Sequence, residues 1–270
     1  MIAWDIRPSA AATPSPCLRG LVWAAAISLG WIGSLAMLVL MPLEGLWASS
    51  GWLLPAVLIR AFLQTGLFIV AHDAMHGSLL PGSRIWNDRI GRLALGLYAG
   101  LPWERCRRHH RSHHNHPGSA TDPDHHDGRN EGAWAWYLRF MATYLSPGQM
   151  TWLLSTWLFT LLALQPFTTH LVARLLLFWT LPLLISSWQL FLIGSYLPHR
   201  EASGRSGDRH HAASLAWPEA LSLLACFHFG YHWEHHADPQ LPWYRLPGRH
   251  RLMTKPSPEA SPLAMVEISR

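Results

Sequence analysis

The stretch WLLPAVLIRAFLQTGLFIVAHDAMHG, from Trp52 to Gly77, passes from an apolar run directly into a pair of histidines. Trp52 to Ala71 carries a single charge, Arg60, and about 20 apolar residues at a 1.5 Å rise cross a hydrocarbon core of about 30 Å. The run is therefore expected to span a membrane, with Arg60 turned to the bundle or to a polar cavity because a lipid-facing charge is expensive. If the helix continues past Ala71, His72 and His76 present their imidazoles on one face. Both features, an apolar span and spaced histidines at its end, recur along the chain.

Leu21 to Leu43 is free of charge and forms a first expected span. Phe140 to Thr169 is also uncharged but is split by Pro147 and Gly148. A span is thus expected at about residues 149–167, with 134–145 lying along the interface. The fourth expected span, Leu175 to Leu197, has Arg174 at its mouth and a proline, Pro182, that should kink it. Arg89–Trp103 and Ala212–Phe229 are shorter apolar pieces that suit half-buried or re-entrant helices. The expectation is one all-α membrane domain over residues 1–270. It has about four transmembrane helices at 21–43, 52–71, 149–167 and 175–197, and a cytoplasmic helical cap holding a dimetal site. Pro256, Pro258 and Pro262 mark a mobile tail over about 254–270.

Composition agrees with a membrane protein: only 14% of the 270 residues are charged and 50% are hydrophobic, with 16 Trp, against about 25% charged in ordinary soluble domains. The formal charge is +5, and 20 of the 21 basic residues are Arg. No nucleic-acid motif accompanies that excess, and no nucleic-acid partner is expected. The basic residues instead mark the cytoplasmic loops. Residues 72–133 and 199–270 carry eight Lys plus Arg each, whereas Glu44–Gly51 and Thr168–His170 carry none. Both termini are therefore expected in the cytoplasm, together with all histidines except His170. Cys17, Cys106 and Cys226 have no metal-site spacing and read as free thiols.

His110, His113 and His114 form His-x-x-His-His, and His232, His235 and His236 repeat it. Such spacing places i, i+3 and i+4 on one helical face. With His72 and His76 the three clusters offer eight imidazole nitrogens, too many for one metal and suited to two. Imidazole fits iron, zinc, copper or nickel, so ligand type alone leaves the metal open. A single histidine pair on a helix is more often surface or core, and a tract such as His109 to His116 can be a loose metal buffer. Three spaced clusters at one membrane face argue against both. His109 leaves the second register ambiguous by one, and only His110 gives the repeated spacing.

These boxes resemble the membrane-bound, histidine-rich di-iron oxygenase and desaturase superfamily, and in detail the bacterial beta-carotene ketolases. The resemblance covers about Leu21 to Pro247. It is carried by His72-Asp73-Ala74-Met75-His76-Gly77, Asp122-Pro123-Asp124, Tyr196-Leu197-Pro198-His199-Arg200 and Phe227-His228-Phe229-Gly230-Tyr231-His232-Trp233-Glu234-His235-His236, with Leu241-Pro242-Trp243 and Leu246-Pro247 after the last box. One departure comes after Asp124, where the family has an aromatic then a histidine and this chain has His125 and His126. His126 takes the matching place. The resemblance implies two iron ions, dioxygen as co-substrate, and a ninth ligand from the end of the last span, His199. It also implies a carotenoid substrate whose β-ionone ring is oxidised at carbon 4 by two hydroxylations and loss of water. His228, four residues before His232, could ligate directly or support a ligand, and the supporting role is favoured. Asp73, Asp122, Asp124 and Glu234, and with them His116 and His126, are expected behind the ligands, where a carboxylate takes the second N–H of a ligating ring. For Asp122-Pro123-Asp124 an ordinary turn is the competing reading.

No flavin or nicotinamide fingerprint is visible, so electrons must come from a ferredoxin or another reductase-type donor; the bilayer lipid is the remaining partner. Competing functions are a carbon-3 ring hydroxylase or acyl desaturase, separable by product, and a metal transporter. A transporter would place ionisable groups at the midplane of several spans, where only Arg60 qualifies. The implied home is a bacterial inner membrane.

Overall fold

The computed structural model describes residues 14–41, 50–126, 131–202 and 208–254. Pro42, Leu43 and the expected tail from Lys255 onward lie outside them. Ten helices and two short 3-10 turns, and no strand, occur among the described residues: α1 Pro14–Leu40, α2 Leu53–His76, α3 Arg84–Ala99, α4 Trp103–Asn115, α5 Ala133–Tyr144, α6 Pro147–Leu164, α7 Leu171–Arg200, α8 Glu219–Cys226, α9 His232–Ala237 and α10 Leu246–Thr254.

Among the described residues three helices, α1, α2 and α7, are long and apolar enough to cross a membrane. The count differs from the four expected. Helix α6 has 18 residues, about 27 Å at 1.5 Å per residue. Its first turn is Pro147-Gly148-Gln149, and Thr151, Ser155, Thr156 and Thr160 dilute the rest. Its start is set locally, since Pro147 suits the first helical position and the Ser146 hydroxyl accepts from Gln149 N–H. The segment expected along the interface forms a separate helix, α5. The apolar run 89–103 is not one helix, because Gly100 ends α3 in the left-handed region (φ 65°). A side chain there would also meet the Trp152 ring of α6.

Helix α2 is central, packed against α1, α3 and α7. Arg60 is fully buried, as expected: its Nε donates to Phe178 O at 2.9 Å and its Nη1 to Trp31 O at 2.6 Å, with the guanidinium 4.8 Å over the Trp31 ring. Phe178 O is available because Pro182, four residues on, has no N–H to give it. Arg174 is also buried and caps α1, donating to Leu38 O, Val39 O and Met41 O, carbonyls a helix end leaves unpaired. Helix α7 contains two π-helical turns, Leu176–Thr180 and Leu192–Tyr196, the second directly ahead of Pro198 and His199. A π-helical turn inserts an extra residue into the helix and so rotates the side chains beyond it. Of the apolar piece 212–229 only Glu219–Cys226 is helical; this helix, α8, lies beside the middle of α2, with the Phe227 ring stacked on Phe62 at 4.3 Å.

Candidate metal centre

Helix α2 continues about one and a half turns past its expected boundary at Ala71, to His76, and is capped by Gly77 in the left-handed region (φ 73°). That extension carries His72 and His76 out on one face. Opposite them stand α4, bearing the second box, and α9, bearing the third. The end of α7 brings His199. All nine expected ligands meet here, in two groups whose donor nitrogens lie within 4.8 Å of one another. One group is His72, His76, His110, His114 and His235; the other is His113, His199, His232 and His236.

Helical geometry explains the division. At about 100° per residue, i and i+4 differ by about 40°, whereas i+3 and i+4 stand about 100° apart. In α4 the i, i+4 pair His110 and His114 therefore enters the first group and His113 the second. In α9 the pair His232 and His236 enters the second group and His235 the first. The second and third boxes thus each serve both groups, whereas the i, i+4 pair of the first box, His72 and His76, serves the first group alone.

The rings converge through Nε2. His76 and His110 are 2.6 Å apart at these atoms, His114 and His235 3.0 Å, and His113–His236, His199–His232 and His232–His236 each 3.1 Å. A metal 2.0–2.1 Å from each nitrogen puts neighbouring ligands about 3 Å apart. Hydrogen bonds among imidazoles do not satisfy this convergence: neither ring nitrogen of buried His72 has a hydrogen-bond partner. A cation in each group would supply one. Burial and then neighbouring histidines hold His114, His232, His235 and His236 well below the usual imidazole pKa, and His110 at about 3. Five of the nine rings are thus neutral at physiological pH, the protonation state that metal binding needs.

Behind the rings, Asp122 has the expected position. His113 Nδ1 donates to its carboxylate at 2.9 Å, and Gly118 N–H and Asp124 N–H also donate to it, each at 2.9 Å. Burial pulls the His113 pKa down, but the Asp122 carboxylate outweighs it and the net shift is upward. The motif is both a turn and a support. His199 Nδ1 donates to the His211 carbonyl at 2.6 Å, a backbone partner that sequence reading missed.

The other expected supports are elsewhere. Glu234 accepts from Ser214 Oγ and from His250 Nδ1 at 2.7 Å; it fixes α9 from outside and touches no ring of either group. Residues one or two apart on a helix do not face the same way, so its position between His232 and His235 turns it outward. Asp73 accepts from Trp243 N–H at 3.2 Å and lies 3.5 Å from His72 Nδ1, too far for a tight bond. Asp124 is buried and accepts from Tyr144 Oη at 2.8 Å; burial raises its pKa to about 6. His116 is exposed at the end of α4, and His126 packs on His125 and Trp136. Neither joins a group. His228 does not share the face of His232, because Phe227 and His228 both have positive φ (49° and 63°) and α9 begins only at His232. His109 faces Tyr144 instead of the groups.

A cavity of about 300 Å³ reaches four of the nine rings, His72, His110, His113 and His232. Its remaining wall is mostly apolar, from α5 (Phe140, Met141), α6 (Met150, Leu153) and α7 (Leu183, Leu190), with Tyr98, Asp124, Tyr144 and Gln149 as polar points. Such a wall suits an apolar molecule presented to the two groups.

A sequence model of the fatty acid desaturase family matches residues 48–268. Among curated relatives, a beta-carotene ketolase from a Paracoccus strain is 41% identical over 221 residues, 80% of this chain and 88% of that protein. One from a second Paracoccus strain is 43% identical over 69% of this chain and 74% of its own length. A zeaxanthin 4-ketolase of Chlamydomonas reinhardtii is 39% identical over 69% of this chain, which is 41% of that longer protein.

Proposed function

Because the chain belongs to the fatty acid desaturase family, we propose that it is a di-iron oxygenase converting the ring carbon-4 methylene of a beta-carotene-type carotenoid to a ketone. The observation carrying this reading is the pair of histidine groups opening into one apolar cavity. His72, His76, His110, His114 and His235 would hold one iron and His113, His199, His232 and His236 the other. Bound iron supplies the activation of dioxygen. Each of two rounds inserts one oxygen atom into a C–H bond and releases the other as water, using two electrons and two protons from an external ferredoxin or reductase. The resulting geminal diol loses water to leave the ketone.

The chain's own residues position and shield. The apolar walls from α5, α6 and α7 exclude water and orient the ring towards the histidines. Asp122 fixes the ring of His113 through Nδ1, and the His211 carbonyl does the same for His199. Asp124, held by Tyr144, is the carboxyl nearest to hand in the cavity for holding a proton beside the site. The loop charges favour the histidine side in the cytoplasm, the bacterial relatives favour a bacterial inner membrane, and a reporter fused after Arg270 that works only outside the cytoplasm would overturn that orientation.

Expression in cells that accumulate beta-carotene tests reaction and substrate together. Conversion to ring ketones, with about two iron atoms per purified chain, is expected. A carbon-3 alcohol as sole product, or stoichiometric zinc without oxygen-dependent turnover, overturns it.

A further inference from the structure

Helices α8 and α10 border a second pocket, of about 570 Å³, that takes no part in the reaction proposed above. His228 lines it. This ring is 7% exposed and its Nδ1 has no partner, a costly state for a buried polar atom. The strained backbone at φ 63° nevertheless keeps the residue there. Arg245, Arg249 and Arg251 line the same pocket, against the carboxylates of Glu219 and Asp238. Arg251 is committed to Glu219, while Arg249 Nε is buried without a partner. The pocket therefore holds unused donors and an excess of positive charge, which calls for an anion.

Its surroundings specify what kind. On α8, Leu221 and Leu224 are 50% and 66% exposed, and on α10 Leu252 and Met253 are 69% and 46% exposed. Helix α8 flanks α2, which is long and apolar enough to cross a membrane, through the Phe227–Phe62 stack, so a bilayer around α2 would meet these leucines with the arginines of α10 beside them. Basic residues beside apolar side chains at a bilayer boundary recognise anionic headgroups. Trp243, edge-on to Trp23 of α1 at 5.4 Å and stacked near His228 at 6.1 Å, adds an interfacial aromatic.

We propose that this pocket seats the phosphate of an anionic phospholipid, with His228 and Arg249 as its donors and the acyl chains against Leu221, Leu224 and Leu252. The lipid ties α8 to α10 at the edge of the fold. The inference rests on the membrane setting but not on the ketolase reading, because its measurement is of binding and not of turnover.

The test is titration of the full-length protein in detergent with short-chain phosphatidylglycerol, short-chain phosphatidylcholine and inorganic phosphate, monitored by native mass spectrometry. One phosphatidylglycerol should bind saturably, about tenfold more tightly than phosphatidylcholine. Arg249→Gln and His228→Phe should each weaken it about tenfold, while Arg89→Gln, remote on α3, should leave it unchanged. Equal affinity for phosphatidylcholine, or undiminished binding in both pocket variants, overturns the site. An equal loss in Arg89→Gln would show diffuse surface attraction instead. Inorganic phosphate that binds as tightly as the lipid, and displaces it, would reassign the pocket to a free anion. Should His228→Phe fail to fold, the half-buried Arg249→Gln still decides.

Discussion

His199 and His228 flank the last histidine box on its N-terminal side, yet only His199 brings a nitrogen to the second group. His199→Ala leaves that group three nitrogens. Iron content should fall from about two to about one per chain and turnover should vanish, whereas His228→Phe should keep both irons; metal analysis of the two purified variants separates them. Asp122→Asn keeps the shape but weakens the acceptor for His113 Nδ1–H. It should lower metal affinity or activity by about 10- to 100-fold without abolishing the site, and wild-type values in both would remove Asp122 from the support of His113. The eight histidines of the three boxes were legible because helical spacing is a rule of angle, whereas His199 was reached through the family resemblance. Their supports were less legible. Adjacency in sequence suggested Glu234 and Asp73, but adjacent side chains on a helix diverge, and their partners Ser214, His250 and Trp243 are set by tertiary packing.

At the scale of elements, the long apolar runs determined α1, α2 and α7. The π-helical turns were hidden, since they arise from how α7 meets its neighbours and leave no periodic mark. Hidden too was the polar staple holding three helices together: Trp31 Nε1 of α1 donates to Gln64 Oε1 of α2, and Gln64 Nε2 donates to Tyr98 O of α3. Tyr98 O has no partner in its own helix, because the residue four further on is Pro102. Gln64→Leu should therefore strand a buried donor and a buried acceptor. The expected cost is roughly 2–4 kcal/mol, a fall in unfolding midpoint on the order of 10 °C, read by thermal denaturation in detergent. An unchanged midpoint would mean that water or repacking serves both groups.

For the molecule as a whole, the metal groups, the cavity and the membrane-crossing helices form one path. The histidine groups lie where α2 and α7 end, and the cavity leads from them between α5, α6 and α7, helices whose outer faces are exposed and apolar. A substrate dissolved in lipid could thus reach the site sideways without crossing water. Leu153 tests this geometry because it lines the cavity from α6 and is remote in sequence from every proposed ligand. In Leu153→Trp an indole would fill part of a space of about 300 Å³. Pocket changes of this size alter specificity by about tenfold or more, so kcat/KM for the carotenoid should fall at least that far while two irons remain bound. Loss of iron together with activity would indicate a damaged fold, and a smaller substituent, Leu153→Phe, then gives the graded measure. If kcat/KM is unchanged with iron in place, the carotenoid enters by another route and the cavity is not its path.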